Sequence, residues 1–182
     1  MNAFFTSDPH LGHTNIIKYC NRPFISKEEM DETIIANWNR RATNDDIVYC
    51  AGDFAFGRTW EEIEYYVKRL KGKIILIKGN HDKLKLIEKC SFHDISPVSM
   101  REIRVNEQEI TISHYAMRVW NKSHYGAWNL YGHSHGNLLE DLNSLSFDIG
   151  MDANNFKLLD FEEIKLRMSK KTFVPIDHHR RD

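Results

Sequence analysis

Lys73-Ile74-Ile75-Leu76-Ile77-Lys78-Gly79-Asn80-His81-Asp82 is the stretch that decides the fold. Its first half is a short apolar run of the kind a buried strand makes, and its second half breaks at once into glycine, amide, imidazole and carboxylate. Two upstream stretches repeat the arrangement. Ala3-Phe4-Phe5-Thr6-Ser7 runs into Asp8-Pro9-His10, and Asp46-Ile47-Val48-Tyr49-Cys50-Ala51 runs into Gly52-Asp53. Helical patterns lie between them. Ser26 and Glu29 form a capping box ahead of Met30, Ile34 and Trp38, which fall four apart on one face. Trp60, Ile63, Val67 and Leu70 recur at 3-4-3 spacing until Gly72, which is expected to stop the helix. The first half of the chain therefore reads β-α-β-α-β.

Strands dominate the second half. Residues 101–105 and 109–113 flank a polar Asn106-Glu107-Gln108 turn and predict a hairpin. Residues 128–131, 144–149 and 156–159 predict short strands, and Asp160 is placed to cap a last helix over 161–168. Residues 170–182 form a charged tail with Pro175 and no usable pattern. There is no repeat or linker, so 1–182 reads as one α/β domain with a core over about 1–169. In such sheets the loops at the carboxyl ends of strands converge on one crevice.

Composition narrows the function before any motif is weighed. Hydrophobic residues make up 41% and charged residues 28% of 182, which fits a folded chain of ordinary domain size. The longest apolar run, residues 47–51, is far short of the roughly 20 residues a membrane span needs. Met1-Asn2 leads directly into Ala3-Phe4-Phe5 with no secretory signal pattern, so a cytoplasmic location is expected. Cys20, Cys50 and Cys90 form no Cys-x-x-Cys pair, against a disulfide framework or thiolate zinc site. A balance of 25 basic and 26 acidic residues excludes the bulk basicity of a dedicated nucleic-acid binder. The 10 histidines are the surplus that needs a use, since imidazole is a common metal ligand and proton carrier.

The chemistry-bearing side chains fall in five blocks: Asp8-Pro9-His10, Gly52-Asp53, Gly79-Asn80-His81-Asp82, Ser113-His114-Tyr115 and Gly132-His133-Ser134-His135-Gly136. They offer oxygen and nitrogen donors and no thiolate, which suits Mn²⁺, Fe, Zn²⁺ or Co²⁺, and seven donors are more than one ion requires. In order and spacing the blocks resemble the Asp-x-His, Gly-Asp, Gly-Asn-His-Asp/Glu, His, Gly-His-x-His pattern of the calcineurin-like metallophosphoesterase superfamily, in a small bacterial or phage-type form.

That resemblance implies a four-layer α-β-β-α sandwich of two mixed sheets with flanking helices. It implies two divalent metal ions, Mn²⁺ foremost, with Fe, Zn²⁺, Co²⁺ or Ni²⁺ as alternatives. Asp8, His10 and His135 would hold the first ion, Asn80, His114 and His133 the second, and Asp53 would bridge them. His81 would be the general acid, and the reaction would be hydrolysis of a phosphate ester by a metal-bound hydroxide. Where phosphoprotein phosphatases continue Gly-Asp-x-x-Asp-Arg-Gly, this chain reads Gly52-Asp53-Phe54-Ala55-Phe56-Gly57-Arg58, which favours a phosphodiester, a nucleotide or a small phosphomonoester over a phosphoprotein. The partner is then a small phosphate ester or nucleotide, with an oligonucleotide also open and the oligomeric state unspecified.

Arg22 and Arg118 are the substrate-gripping candidates, as guanidinium groups able to take a phosphate in bidentate fashion. Asp82 would either orient His81 or cap the next helix. The remaining histidines, His13, His93, His124, His178 and His179, read as bystanders, with His13 and His124 the first exceptions to consider because they lie near the ligand loops. Residues 68–89 carry eight basic and two acidic side chains, either a solvated surface or a steering patch for a polyanion. The competing readings are a phosphoesterase-like scaffold without turnover and a nucleic-acid-binding module.

Overall fold

The computed structural model describes residues 1–177; His178 and His179 lie outside the described residues. Four parallel strands run through the first half: β1 (Ala3–Thr6), β2 (Ile47–Cys50), β3 (Lys73–Ile77) and β4 (Asp94–Ser96). The second sheet has the order β5 (Met100–Val105), β6 (Gln108–Ser113), β7 (Trp128–Tyr131), β8 (Ser146–Asp148), with β5 antiparallel and the rest parallel. A two-residue strand, β9 (Leu159–Asp160), pairs antiparallel with β1 and closes the first sheet as β4-β3-β2-β1-β9. Both sheets are therefore mixed, and helices flank them: α1 (Ile16–Tyr19), α2 (Lys27–Arg41), α3 (Trp60–Val67), α4 (Leu84–Ile87) and α5 (Phe161–Met168).

The apolar strands of the first sheet are continuous because both of their faces are buried. Successive side chains point to opposite faces. Phe4, Val48, Cys50, Ile74 and Leu76 join Met30, Ile34 and Trp38 of α2 and Ile63 and Val67 of α3 in one core. Phe5, Tyr49, Ala51, Ile75 and Ile77 join Ile110, Ile112, Trp128, Leu130 and Phe147 of the second sheet, with Phe161, Ile164 and Met168 of α5 closing that core.

The far side of the second sheet is polar. Asn129 donates to the Thr111 carbonyl (3.1 Å) and Ser113 Oγ (2.8 Å), and its Oδ1 accepts from Ser146 Oγ (3.0 Å). The chain after His114 lies over this face, with a 3₁₀ turn at Ser123–Tyr125, together with residues 173–177. Between them is a cavity of about 440 Å³ lined by Met117, Trp120, Tyr131 and Phe173 among others. Residues 172–174 are thus no free tail, since Thr172 and Val174 donate to the carbonyls of Leu142 and Asn143.

Several boundaries differ from the sequence reading. Ser26 caps α2, but the Glu29 carboxylate accepts from the Ile25 amide (2.8 Å) rather than closing a box on Ser26. Helix α3 ends at Val67, before Gly72, and Leu70 is buried from the turn that follows. The hairpin turn is two residues long, because Asn106 and Glu107 both take positive φ and return Gln108 to the ladder. Asn155 and Phe156 also take positive φ, which bends the chain where a strand over 156–159 was expected and leaves only Leu159 paired. Strand β4 and the one-turn helices α1 and α4 were not anticipated. Among the described residues, no helix is long and apolar enough to cross a membrane.

Candidate metal centre

Strands β1, β2, β3, β6 and β7 deliver their carboxyl ends to one rim, and the five blocks lie just past those ends. The loops are packed too tightly for side chains at three of their glycines. A Cβ on Gly52 would lie 2.5 Å from the Gly79 backbone, one on Gly79 2.2 Å from Asp53 Oδ1, and one on Gly132 1.9 Å from Ser7 Oγ. Main-chain bonds stitch neighbouring loops together: the Asp8 amide donates to the Gly52 carbonyl, that of His10 to Asp53 and that of Gly132 to His114. Asp8, His10, Asp53, His133 and His135 all have φ between 48° and 67°, a left-handed backbone that Asp and His tolerate better than most residues.

Asp53 sits at the middle. Its Oδ2 is 3.6 Å from His10 Nε2, 3.6 Å from His114 Nε2 and 4.0 Å from His81 Nε2, while its Oδ1 accepts from the His81 amide (2.8 Å). On one side Asp8, His10 and His135 bring donor atoms within 4.8 Å of one another; on the other, Asp53, His114 and His133 do the same. Asn80 joins the second group, its Oδ1 lying 2.7 Å from His114 Nε2 and 3.0 Å from His133 Nδ1.

The chemistry of these donors fits divalent cations, on two grounds. Asp8 Oδ1 and His10 Nε2 are buried without a hydrogen-bond partner, a costly arrangement for polar atoms unless something else satisfies them. Both ring nitrogens of His114 face oxygen acceptors, the Ala51 carbonyl at 2.8 Å and Asn80 Oδ1 at 2.7 Å. Burial holds His114 below its ordinary pKa, in the neutral form, which has one N–H for two acceptors. With that proton given to Ala51, the Nε2 lone pair faces Asn80 Oδ1, a conflict that a shared cation removes.

Burial, with the neighbouring His135 and Arg22 adding to it, likewise pushes His10 far below its usual range. Asp8 is pushed up to about 8 by burial, although its Oδ2 accepts from the His133 amide (2.8 Å); a bound cation would reverse that preference. His135 behaves differently. Burial works against its charged form, but the 2.7 Å bond from Nδ1 to Asp152 and the carboxylates of Asp8 and Asp152 outweigh it and raise its pKa.

Two sequence expectations need correction. Arg22 is not free to grip a substrate: Nε and Nη2 donate to Asp152 (both 2.8 Å), Nη2 also to the Asp8 carbonyl (2.8 Å), and Nη1 to the Pro9 carbonyl (2.9 Å) and Met30 Sδ (3.4 Å). All five N–H donors are used, and the side chain is buried. Asp82 neither orients His81 nor caps a helix, since its carboxylate accepts from the amides of Asp53 (2.8 Å), Phe54 (3.0 Å) and Gly79 (2.8 Å), tying the loop after β2 to the loop after β3. Arg118 is exposed, on the wall of the cavity over the second sheet. His13 stacks on Phe56 (centroids 4.2 Å apart), its Nδ1 3.4 Å from His10 Nδ1, whereas His124 lies 3.6 Å from Asp177.

Sequence reasoning missed Asp148 and Asp152, and it gave Tyr115, within the fourth block, no role of its own. Asp148 is buried and accepts from the amides of Gly136 (2.9 Å) and Gly150 (2.7 Å), anchoring the His-x-His loop. Its signal was a carboxylate inside an apolar strand pattern. Tyr115 is half-exposed with its ring 4.6 Å from that of His133.

Fold and donor set together define a two-sheet α/β protein of the metal-dependent phosphoesterase type. The family model for calcineurin-like phosphoesterases matches residues 1–180, and the chain belongs to that family. It is 32% identical over 177 residues to an uncharacterized protein of Methanocaldococcus jannaschii, covering 94% of this chain and 93% of that one. It is 35% identical over 83 residues to the gene 66 protein of Mycobacterium phage L5, covering 44% and 40%. A crystal structure of a protein of unknown function from Aquifex aeolicus shares the fold, with a TM-score of 0.71 at 22% identity over 91% of this chain and 98% of that one.

Proposed function

We propose that the protein hydrolyses a phosphodiester, a nucleotide or other diester with a flat leaving group, at a centre of two divalent cations. Asp8, His10 and His135 would hold one ion, Asn80, His114 and His133 the other, with Asp53 shared. The observation that carries the reading is Asp53 Oδ2, equidistant at 3.6 Å from one imidazole of each group. When bound, the cations supply Lewis-acid polarisation of the phosphoryl oxygens and a nucleophile from water at neutral pH; Mn²⁺ is the first choice for an oxygen- and nitrogen-rich set.

The protein's own groups do the rest. Neutral His10 and His114 leave only two carboxylates, Asp8 and Asp53, to offset the ions, so the site stays attractive to a phosphate. His81, its side chain about half exposed and its amide fixed on Asp53, stands at the mouth of the cluster, where it can hand a proton to the departing oxygen. Phe56 and Tyr115, both about half exposed, flank the donors through His13 and His133 and offer faces to a flat leaving group or base.

The test is hydrolysis of bis-p-nitrophenyl phosphate and p-nitrophenyl phosphate side by side, by metal-stripped protein refilled with Mn²⁺. The expected result is Mn²⁺-dependent release, faster from the diester and lost in Asp53→Asn. Faster release from the monoester would overturn the diester assignment, and no metal-dependent release from either would overturn the enzyme.

A further inference from the structure

The two halves of the donor cluster are supported unequally. Behind His114 stands one main-chain carbonyl, that of Ala51, while His133 Nδ1 faces Asn80, itself a donor of the set. Behind the other half stands a buried ion pair. Asp152 accepts from Arg22 through both oxygens and from His135 Nδ1 through Oδ2, and the same guanidinium holds the carbonyls of Asp8 and Pro9. One planar fork thereby fixes the loop that carries Asp8 and His10 relative to the imidazole of His135, which is 125 residues further along the chain from His10.

We infer that Arg22 and Asp152 are a positioning pair for the Asp8–His10–His135 half of the centre alone, setting its affinity for a cation without acting on the Asn80–His114–His133 half. By accepting Nδ1–H, Asp152 fixes His135 in the tautomer that leaves Nε2 as its ligand atom. By accepting the guanidinium in parallel, it joins that imidazole to the Asp8-Pro9-His10 backbone. Lysine at position 22 would keep the charge but cannot span both carboxylate oxygens and two carbonyls at once. This inference rests on the two-ion reading above.

The test is Mn²⁺ titration and bound-metal stoichiometry of the full chain in wild type, Asp152→Asn and Arg22→Lys. Electron paramagnetic resonance is read in parallel, because a coupled Mn²⁺ pair and an isolated ion give different signals. The wild type is expected to bind two ions. Each variant is expected to keep one ion at wild-type affinity and bind the other about 10- to 100-fold more weakly, with the isolated-ion signal replacing the coupled one. Two ions bound as in wild type, or equal weakening of both, would overturn the inference while leaving the two-ion reading standing. Fewer than two in the wild type would overturn both. If Asp152→Asn does not fold, Arg22→Lys carries the comparison, since it leaves a cation opposite Asp152.

Discussion

His81 is distinguished from the buried imidazoles His10 and His114 by its exposure. His10 and His114 are buried with their Nε2 atoms aimed at Asp53 Oδ2, whereas the His81 side chain is about half open to solvent and 4.0 Å from that oxygen. A group so placed can reach a leaving oxygen, and its absence matters in proportion to how badly that oxygen needs a proton. His81→Ala is expected to slow an alkyl or nucleoside ester by about 10²- to 10⁴-fold while changing a p-nitrophenyl ester far less, with bound metal unchanged. Equal losses on the two esters, measured as kcat, would contradict the assignment. Donor identities at this scale were legible because Asp, His and Asn stand directly after apolar runs. Their left-handed φ values, and the engagement of Arg22, were not, because both depend on residues distant in the chain: Asp152 is 130 positions from Arg22.

Elements place these residues, and the lower end of β1 and β2 shows how. Asp46, just before β2, accepts from the Asn2 amide (2.7 Å), the Thr43 amide (2.9 Å) and Thr43 Oγ1 (2.7 Å), pinning the start of β1 to that of β2. The Asn2 bond first, then those of Thr43, hold its pKa below the ordinary value of 3.8. A carboxylate with a lower pKa folded than unfolded adds stability above its unfolded pKa and loses it as pH falls through the folded one. Asp46→Asn is therefore expected to cost about 1–3 kcal/mol at pH 7, with the gap to wild type closing below pH ~4. Denaturant melts at pH 7 and pH 3 check it, and a gap of constant size would contradict the role given to the charge. Strands β1, β2 and β3 were readable from their apolar runs. Helix α4 and strand β4 were not, since a single turn and a three-residue edge carry no period to read.

At the scale of the whole molecule, the sandwich joins two unlike halves of the chain at one rim. The parallel β1-β2-β3 ladder brings Asp8, Asp53 and Asn80, the parallel β6-β7 ladder brings His114 and His133, and face-to-face packing of the two sheets sets the groups against each other. The order of the blocks was legible in the sequence; the pairing of sheets that makes them converge is a tertiary fact. The basic stretch at 68–89 also resolves only here. Lys68 pairs with Glu64 and Arg69 with Glu32, and Lys71 and Lys73 lie at the start of β3, away from the rim. Lys78 and Lys83, by contrast, flank the Gly79-Asn80-His81 loop at the rim itself, and Lys83 shares a small cleft with His81 and Phe56.

The central claim is that one carboxylate, Asp53, stands between two cation sites. It is tested most directly by an anomalous difference map at the manganese edge from crystals of the full chain grown with Mn²⁺. The expected result is two peaks, one among Asp8, His10 and His135 and one among Asn80, His114 and His133, with Asp53 touching both. A single peak, or two that do not share Asp53, would contradict the claim.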